Sequence, residues 1–210
     1  MKGKTLKPCH FLSEASGDVV LFQVIELNDV VRLPPAKFGE PLQDVAKEIL
    51  KQKYESLISP DLGYVILIMG VKADEVGKVI PGDGSTYHKA KVELLTFIPK
   101  IQEVVEGEIV EITDFGAFVR VGPADALLHL SQITDDYLTS DVKQGMILAS
   151  QSKRTLKVGS RVRVRITAVS LGRGAAMAKI GVTCRQPLLG ALEWIEEDAK
   201  KSSKAESKKG

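Results

Sequence analysis

Cysteine and aromatic side chains are scarce in this chain, and it holds no long apolar run. Its two cysteines, Cys9 and Cys184, stand far apart without metal-ligand spacing. That argues against a disulfide framework or a thiolate zinc centre, and it fits a reducing compartment, the cytoplasm. The three histidines, His10, His88 and His129, share no ligand spacing, so neither a metal nor another cofactor is expected. The longest apolar run, YVILIMGV (64–71), is far shorter than the ~20 residues of a membrane span. The opening MKGKTLKPCHFLSEASGD has lysines but no apolar stretch after them, unlike a secretory signal. A soluble intracellular protein with no membrane partner is expected. Charge of one sign is also missing in bulk: the net charge is +2 over 210 residues, so partners must be sought in local patterns.

What remains is an ordinary globular composition, 44% hydrophobic and 27% charged, long enough for two small domains with real cores. Residues 1–20 show no period and are expected to form a flexible extension. FQVIELNDVVRLPP (22–35) reads as a strand stopped by Pro34 and Pro35. In the next segment Leu42, Val45, Ala46, Ile49, Leu50, Tyr54 and Leu57 recur at three and four residues. They mark the buried face of an amphipathic helix, with Pro41 in its first turn. YVILIMGVK (64–72) is a buried strand, VIPGDGSTYH (79–88) is turn-rich, and KAKVELLTFIP (89–99) alternates. The first half, residues 21–100, is therefore a β-α-β-β unit of α+β class.

The second half changes character. EGEIVEITDFGAFVRV, ALLHLS, RVRVRITAVSL and KIGVTCRQ are short strands separated by turns, with one long insertion at 132–160. This pattern predicts an all-β barrel of the OB type over 101–198. LLGALEWIEEDAKK (188–201) reads as a closing helix docked by Leu189, Leu192 and Ile195, with Trp194 covering an edge. The polar basic tail, 199–210, is expected to be disordered.

The barrel segment carries the chemistry. Phe115 and Phe118 would point to opposite faces of an ideal strand, unless an irregularity at Gly116 intervenes. They read either as core or as a stacking platform for unpaired bases. His129 alone reads as a core or edge histidine making one hydrogen bond. Between Gln151 and Arg185 stand nine basic residues and no acidic one: Lys153, Arg154, Lys157, Arg161, Arg163, Arg165, Arg173, Lys179 and Arg185. Arg161, Arg163 and Arg165 alternate with Val162, Val164 and Ile166, so one strand face presents three guanidinium groups. Such a row suits a phosphate backbone, or else the docking of an acidic protein.

VVEGEIVEITDFGAFVRVGPADALLHLSQI (104–133), LKVGSRVRVRITAVSL (156–171) and KIGVTCRQ (179–186) resemble the S-one domain, an OB-fold RNA-binding module. The resemblance implies that Phe115, Phe118 and His129 face RNA. From the charge pattern, Lys153, Arg154, Arg161, Arg163, Arg165, Lys179 and Arg185 are the candidate phosphate contacts. Ala126 stands where that family usually has glycine. VVRLPPAKFGEPL (30–42), IPGDGSTYHKAKVELLTFIPKIQEVVEGE (80–108) and RQPLLGALEWIE (185–196) widen the likeness. Across about 22–197 the chain resembles the family of the seventh, or E-prime, subunit of archaeal DNA-directed RNA polymerase. That likeness implies a non-catalytic stalk subunit with a ribonucleoprotein-like tip domain followed by the barrel. It implies pairing with the fourth (F) subunit of the enzyme, docking on the polymerase core near the clamp, binding of emerging single-stranded RNA, and contact with initiation factor E. Pro34, Pro35, Phe38, Gly39, Gly82, Asp83 and Gly84 are the candidate core-docking residues. The group from Pro34 to Gly39 reads equally as a plain strand-to-helix turn, and Gly82, Asp83 and Gly84 read first as a turn.

Other uses of such a barrel fit less well. An exosome-cap-like RNA-processing factor would bring a GXXG clamp or cysteine pairs. A nuclease needs clustered carboxylates for metals, and the runs at Asp135–Asp136 and Glu196–Asp198 read as solvated charge. An alpha-type translation factor would place the barrel first.

Overall fold

The computed structural model describes residues 4–7, 21–172 and 178–206. The chain divides into two compact units, with the break between Ile98 and Pro99. Arg173 lies outside the described residues, as do 1–3 and 8–20 of the expected extension and 207–210 of the expected tail.

The first unit is an antiparallel sheet with one helix on it. Its strands are β1 (Lys4–Lys7), β2 (Phe22–Leu33), β3 (Ile58–Ser59), β4 (Gly63–Ile80) and β5 (Asp83–Phe97), in the spatial order β1-β2-β5-β4-β3. Helix α1 (Leu42–Tyr54) starts directly after Pro41, carries Asp44 in its first turn and ends on Lys51 and Lys53, matching the helix dipole at both ends. Its Ala46, Leu50 and Tyr54 pack on Ile25, Leu27, Val31, Val92 and Leu94 of the sheet, with Leu42 and Ile49 at the margin. The helical stripe holds except at Leu57, which lies beyond the helix and is exposed. One buried carboxylate crosses this interface. Asp29 accepts from Tyr54 Oη at 2.6 Å and from Lys53 Nζ at 2.5 Å.

Two expectations for this unit are corrected. Residues 4–7, placed in an irregular extension, pair antiparallel with β2 from Lys4↔Leu27 to Lys7↔Val24. Short, lysine-rich KTLK has no periodicity to show in sequence, because its partner strand supplies the structure. The turn-rich stretch 79–88 is mostly strand: β4 and β5 form one long hairpin whose turn is only Pro81 and Gly82. Its polar residues are paired across strands, Val79 with Thr86 and Lys78 with Tyr87.

The second unit is a barrel. Strands β6 (Val104–Thr113), β7 (Gly116–Val121), β8 (Ala124–His129), β12 (Arg161–Ser170) and β13 (Lys179–Thr183) run β13-β8-β7-β6-β12, and β12 pairs again with β13. That last pairing closes the sheet, so these strands leave no open edge. Ile109, Ile112, Ala117, Val119, Ala126, Leu128, Val162, Val164, Ile166 and Val182 fill the interior. Ala126 is fully buried opposite Val119, so the small side chain at this position is accommodated inside the barrel. The insertion folds into its own antiparallel sheet of β9 (Leu138–Asp141), β10 (Met146–Ala149) and β11 (Thr155–Lys157).

Helix α2 (Leu192–Glu206) begins four residues later than expected. Leu188 and Gly190 have φ of 65° and 120°, which no α-helix accommodates, and β14 (Gly190–Ala191) pairs with β12 instead. The helix also runs through 199–206, where a disordered tail was expected. Polar low complexity misled there, because Lys, Ala and Glu are strong helix formers.

Candidate nucleic-acid interface

Phe115 lies in the turn between β6 and β7, not in a strand, so strict alternation does not apply to it. Phe118 projects from the outer face of β7. The two rings meet edge to face, 6.3 Å between centroids and 87° between planes, and Phe115 is 50% exposed. Gly116 between them is required by contact rather than by turn geometry. A Cβ there would stand 2.3 Å from the Leu128 carbonyl oxygen. Gly116 pairs with His129 on β8, and Phe118 pairs with Leu127. The imidazole is exposed, on the same outer face as Phe118. Its Nδ1 accepts the Ser131 amide at 3.2 Å and lies 2.9 Å from the Ser131 hydroxyl. An amide can only donate, so a neutral ring keeps its proton on Nε2, ready to donate to a ligand.

The basic strip is less uniform than its sequence. Arg161, Arg163 and Arg165 do share the outer face of β12, but Glu106 on the neighbouring β6 accepts from Arg161 at 3.3 Å and from Arg163 at 2.8 Å. Arg154 is bound to Asp198 on α2 at 2.5 and 2.7 Å, with its guanidinium 5.4 Å from the Trp194 ring centroid. Arg185 pairs with Asp135. The carboxylates missing from 151–185 are thus supplied by distant segments. Lys153, Arg165 and Lys179 have no carboxylate partner among the described residues. Arg165 Nε is buried without an acceptor.

Register shows which cation neighbours the rings. Along β6, Phe118 pairs with Glu111 while Arg165 pairs with Val104, a separation of roughly 23 Å of strand. The other way round the barrel is shorter. Leu127 and Leu128 pair with Gly181 and Val182, which sets Thr183 level with His129, and Thr183 pairs with Arg165. Two strand spacings, roughly 10 Å, separate the imidazole strand from Arg165.

Sequence reasoning missed Arg120 and Asp125, which extend the outer row beyond Phe118. Their side chains form a two-pronged pair at 2.9 and 3.3 Å, and this pairing holds Arg120 above its ordinary pKa. Alternation along GAFVRV puts Arg120 on Phe118's side and was the available signal. Tyr137, three-quarters exposed next to the insertion sheet, had no such pattern.

In the first unit the candidate docking residues come together from the loop after β2 and the turn end of the β4–β5 hairpin. Pro35 begins a short 3₁₀ turn (Pro35–Lys37), and its Cγ would lie 3.4 Å from a Cβ on Gly84. Asp83 accepts two hydrogen bonds from Arg32, both 3.1 Å, and one from Tyr87 Oη at 2.6 Å. The Arg32 guanidinium, chiefly, holds the Asp83 carboxyl far below the usual range. Gly39 and Gly82 adopt φ of 97° and 89° with open space where a Cβ would be, so both are needed for turn geometry. Phe38, Val79 and Ile80 are left exposed.

A closed OB barrel with an aromatic pair and an imidazole on one outer face, behind an α+β unit, is a nucleic-acid-binding architecture carried by a second domain. Comparisons with known proteins agree and go further. Residues 98–180 match the S1 RNA binding domain, and residues 28–84 match the SHS2 domain found in the N terminus of Rpb7p/Rpc25p/MJ0397. DNA-directed RNA polymerase subunit Rpo7 of Saccharolobus shibatae is 42% identical over 86% of this chain and all of its own length. Its counterpart from Sulfolobus acidocaldarius is 39% identical over 88% of this chain and all of its own. RNA polymerase II subunit RPB7 of Saccharomyces cerevisiae is 25% identical over 82% of this chain and all of its own. The chain belongs to the Rpo7 family of DNA-directed RNA polymerase subunits. It is a non-catalytic stalk subunit of that enzyme with an S1 RNA-binding domain.

Proposed function

We propose that the barrel holds emerging single-stranded RNA on Phe115, Phe118 and His129, with Arg165 and Lys179 as phosphate contacts. The carrying observation is the edge-to-face ring pair with an exposed imidazole on the adjoining strand. Bases stack on exposed rings with little regard to sequence, and a cation without a carboxylate partner gains most from a phosphate. Lys153 is a further cation of this kind, whereas Arg154, Arg161, Arg163 and Arg185 must first exchange a carboxylate. The first unit docks on the polymerase core near the clamp through Pro34, Pro35, Phe38, Gly39, Gly82, Asp83 and Gly84. Support for that assignment is the junction of two stiff loops beside exposed Phe38, Val79 and Ile80. Within the cytoplasmic enzyme the chain pairs with the fourth (F) subunit and, with initiation factor E, assists initiation and elongation, as the family likeness suggests.

The test is direct. Alanine at Phe115, Phe118 and His129 together is expected to weaken single-stranded RNA binding, by about 1–3 kcal/mol for each stacked base lost, while assembly into polymerase continues. Loss of assembly by a folded triple variant would make this face a protein interface instead.

A further inference from the structure

A shallow depression in the outer surface of the barrel is lined by Val110, Glu111, Phe118, Arg120 and Asp125. It exists because β6 bulges. Pairing shifts between Ile109 and Glu111, so both Val110 and Glu111 turn outward before Ile112 returns to the interior. Unbroken alternation from buried Ile109 would turn Glu111 toward the core. The bulge instead sets its carboxylate directly across from Phe118, as a cross-strand pair.

The three polar groups are not equivalent. Asp125 spends both oxygens on Arg120. Arg120 keeps its Nη1 donors unengaged among the described residues. Glu111 has no hydrogen-bond or ion-pair partner among the described residues. Beside one aromatic face there is thus a free two-oxygen acceptor and, two residues along β7, a guanidinium held in place by its own carboxylate.

We infer that this depression is a base-selective subsite that prefers guanine, resting on the reading of the barrel as an RNA-binding surface. A base stacked on Phe118 presents its polar edge to Glu111. Guanine alone offers two adjacent donors, N1–H and the N2 amino group, which a carboxylate accepts together. Its O6 and N7 accept from a guanidinium. Uracil offers a single N–H between two carbonyl oxygens, which a carboxylate repels. Adenine and cytosine each offer one amino group beside an unprotonated ring nitrogen. The barrel therefore binds RNA of any sequence through its rings and cations, and discriminates at this one position.

Fluorescence anisotropy on the full chain tests this with labelled oligouridine, and with the same oligomer carrying one central guanosine, inosine or adenosine. A single purine avoids G-quadruplex formation. The guanosine oligomer should bind roughly tenfold more tightly than oligouridine, the scale of one two-pronged contact. Inosine, which lacks the 2-amino group, should lose most of that gain. Glu111→Gln should bring the ratio of guanosine to uridine affinity near one. Equal affinity for the guanosine and uridine oligomers overturns the subsite and leaves the RNA-binding surface standing. A preference that survives Glu111→Gln, or that inosine reproduces in full, also overturns it. Failure of every oligomer to bind overturns the RNA-binding reading itself, and the subsite with it.

Discussion

Arginines that look identical in a sequence differ by what faces them. Arg163 gives its guanidinium to Glu106, whereas Arg165 has no carboxylate partner among the described residues and its buried Nε has no acceptor. Replacing Arg165 with Gln should therefore remove a phosphate contact and flatten the logarithmic salt dependence of RNA affinity by about 0.7, the single-strand value per phosphate. Arg163→Gln should leave that slope close to wild type, because its charge is already matched. The converse variant, Glu106→Gln, releases both Arg161 and Arg163 and should raise affinity at low salt and steepen the slope. Salt titrations of the three variants check this, and equal slopes for Arg163→Gln and Arg165→Gln would contradict it. Cys184 gives a separate residue-scale test. Burial pushes its thiol up to about 12, so in a Cys9→Ser background a thiol reagent at pH 8 should label the chain only after denaturation. Rapid native labelling would place Cys184 at the surface.

Elements were legible wherever periodicity reported burial. The stripe of α1 and the alternation RVRVRI of β12 each named the residues that face inward. What could not be read were features set by a partner far along the chain. KTLK becomes a strand because β2 offers an edge, and Glu106 neutralises arginines 55 and 57 residues away. The aromatic pair, too, needed the observation that Phe115 sits in a turn. Nothing in the sequence of β2 marks Asp29, which anchors α1 through Tyr54. Tyr54→Phe leaves that buried carboxylate short of a donor and should cost about 1–3 kcal/mol in chemical denaturation. The insertion sheet is tied by Asp136, whose carboxylate accepts from the amides of Ser152, Gln151 and Tyr137. Those bonds, that of the Ser152 amide foremost, hold its pKa below the ordinary value. The group therefore binds its proton more readily when unfolded. Its contribution is whole above the ordinary aspartate range of about 3.9 and is lost as pH falls through that range toward the lower folded value. The amide resonances of Gln151 and Ser152 should shift in this acid window, and Asp136→Asn should abolish the shift.

At the scale of the whole molecule the two units divide the work that the stalk assignment requires. One presents stiff loops and exposed apolar side chains. The other presents rings, an imidazole and free cations on a closed barrel. Composition alone hid this division, because a net charge of +2 averages over both. The order of the units, α+β first and barrel second, was plain from the change in strand spacing near Pro99. The separation predicts that RNA binding and polymerase assembly fail independently. The measurement that tests this most directly is a paired assay on the alanine variant of Phe115, Phe118 and His129: RNA affinity of the full chain, and its incorporation into polymerase, on the same preparation. Weakened RNA binding with wild-type incorporation is the predicted result. Unchanged RNA affinity in a folded, incorporated variant would contradict the account at its centre, because the barrel face would then not be where the transcript is held.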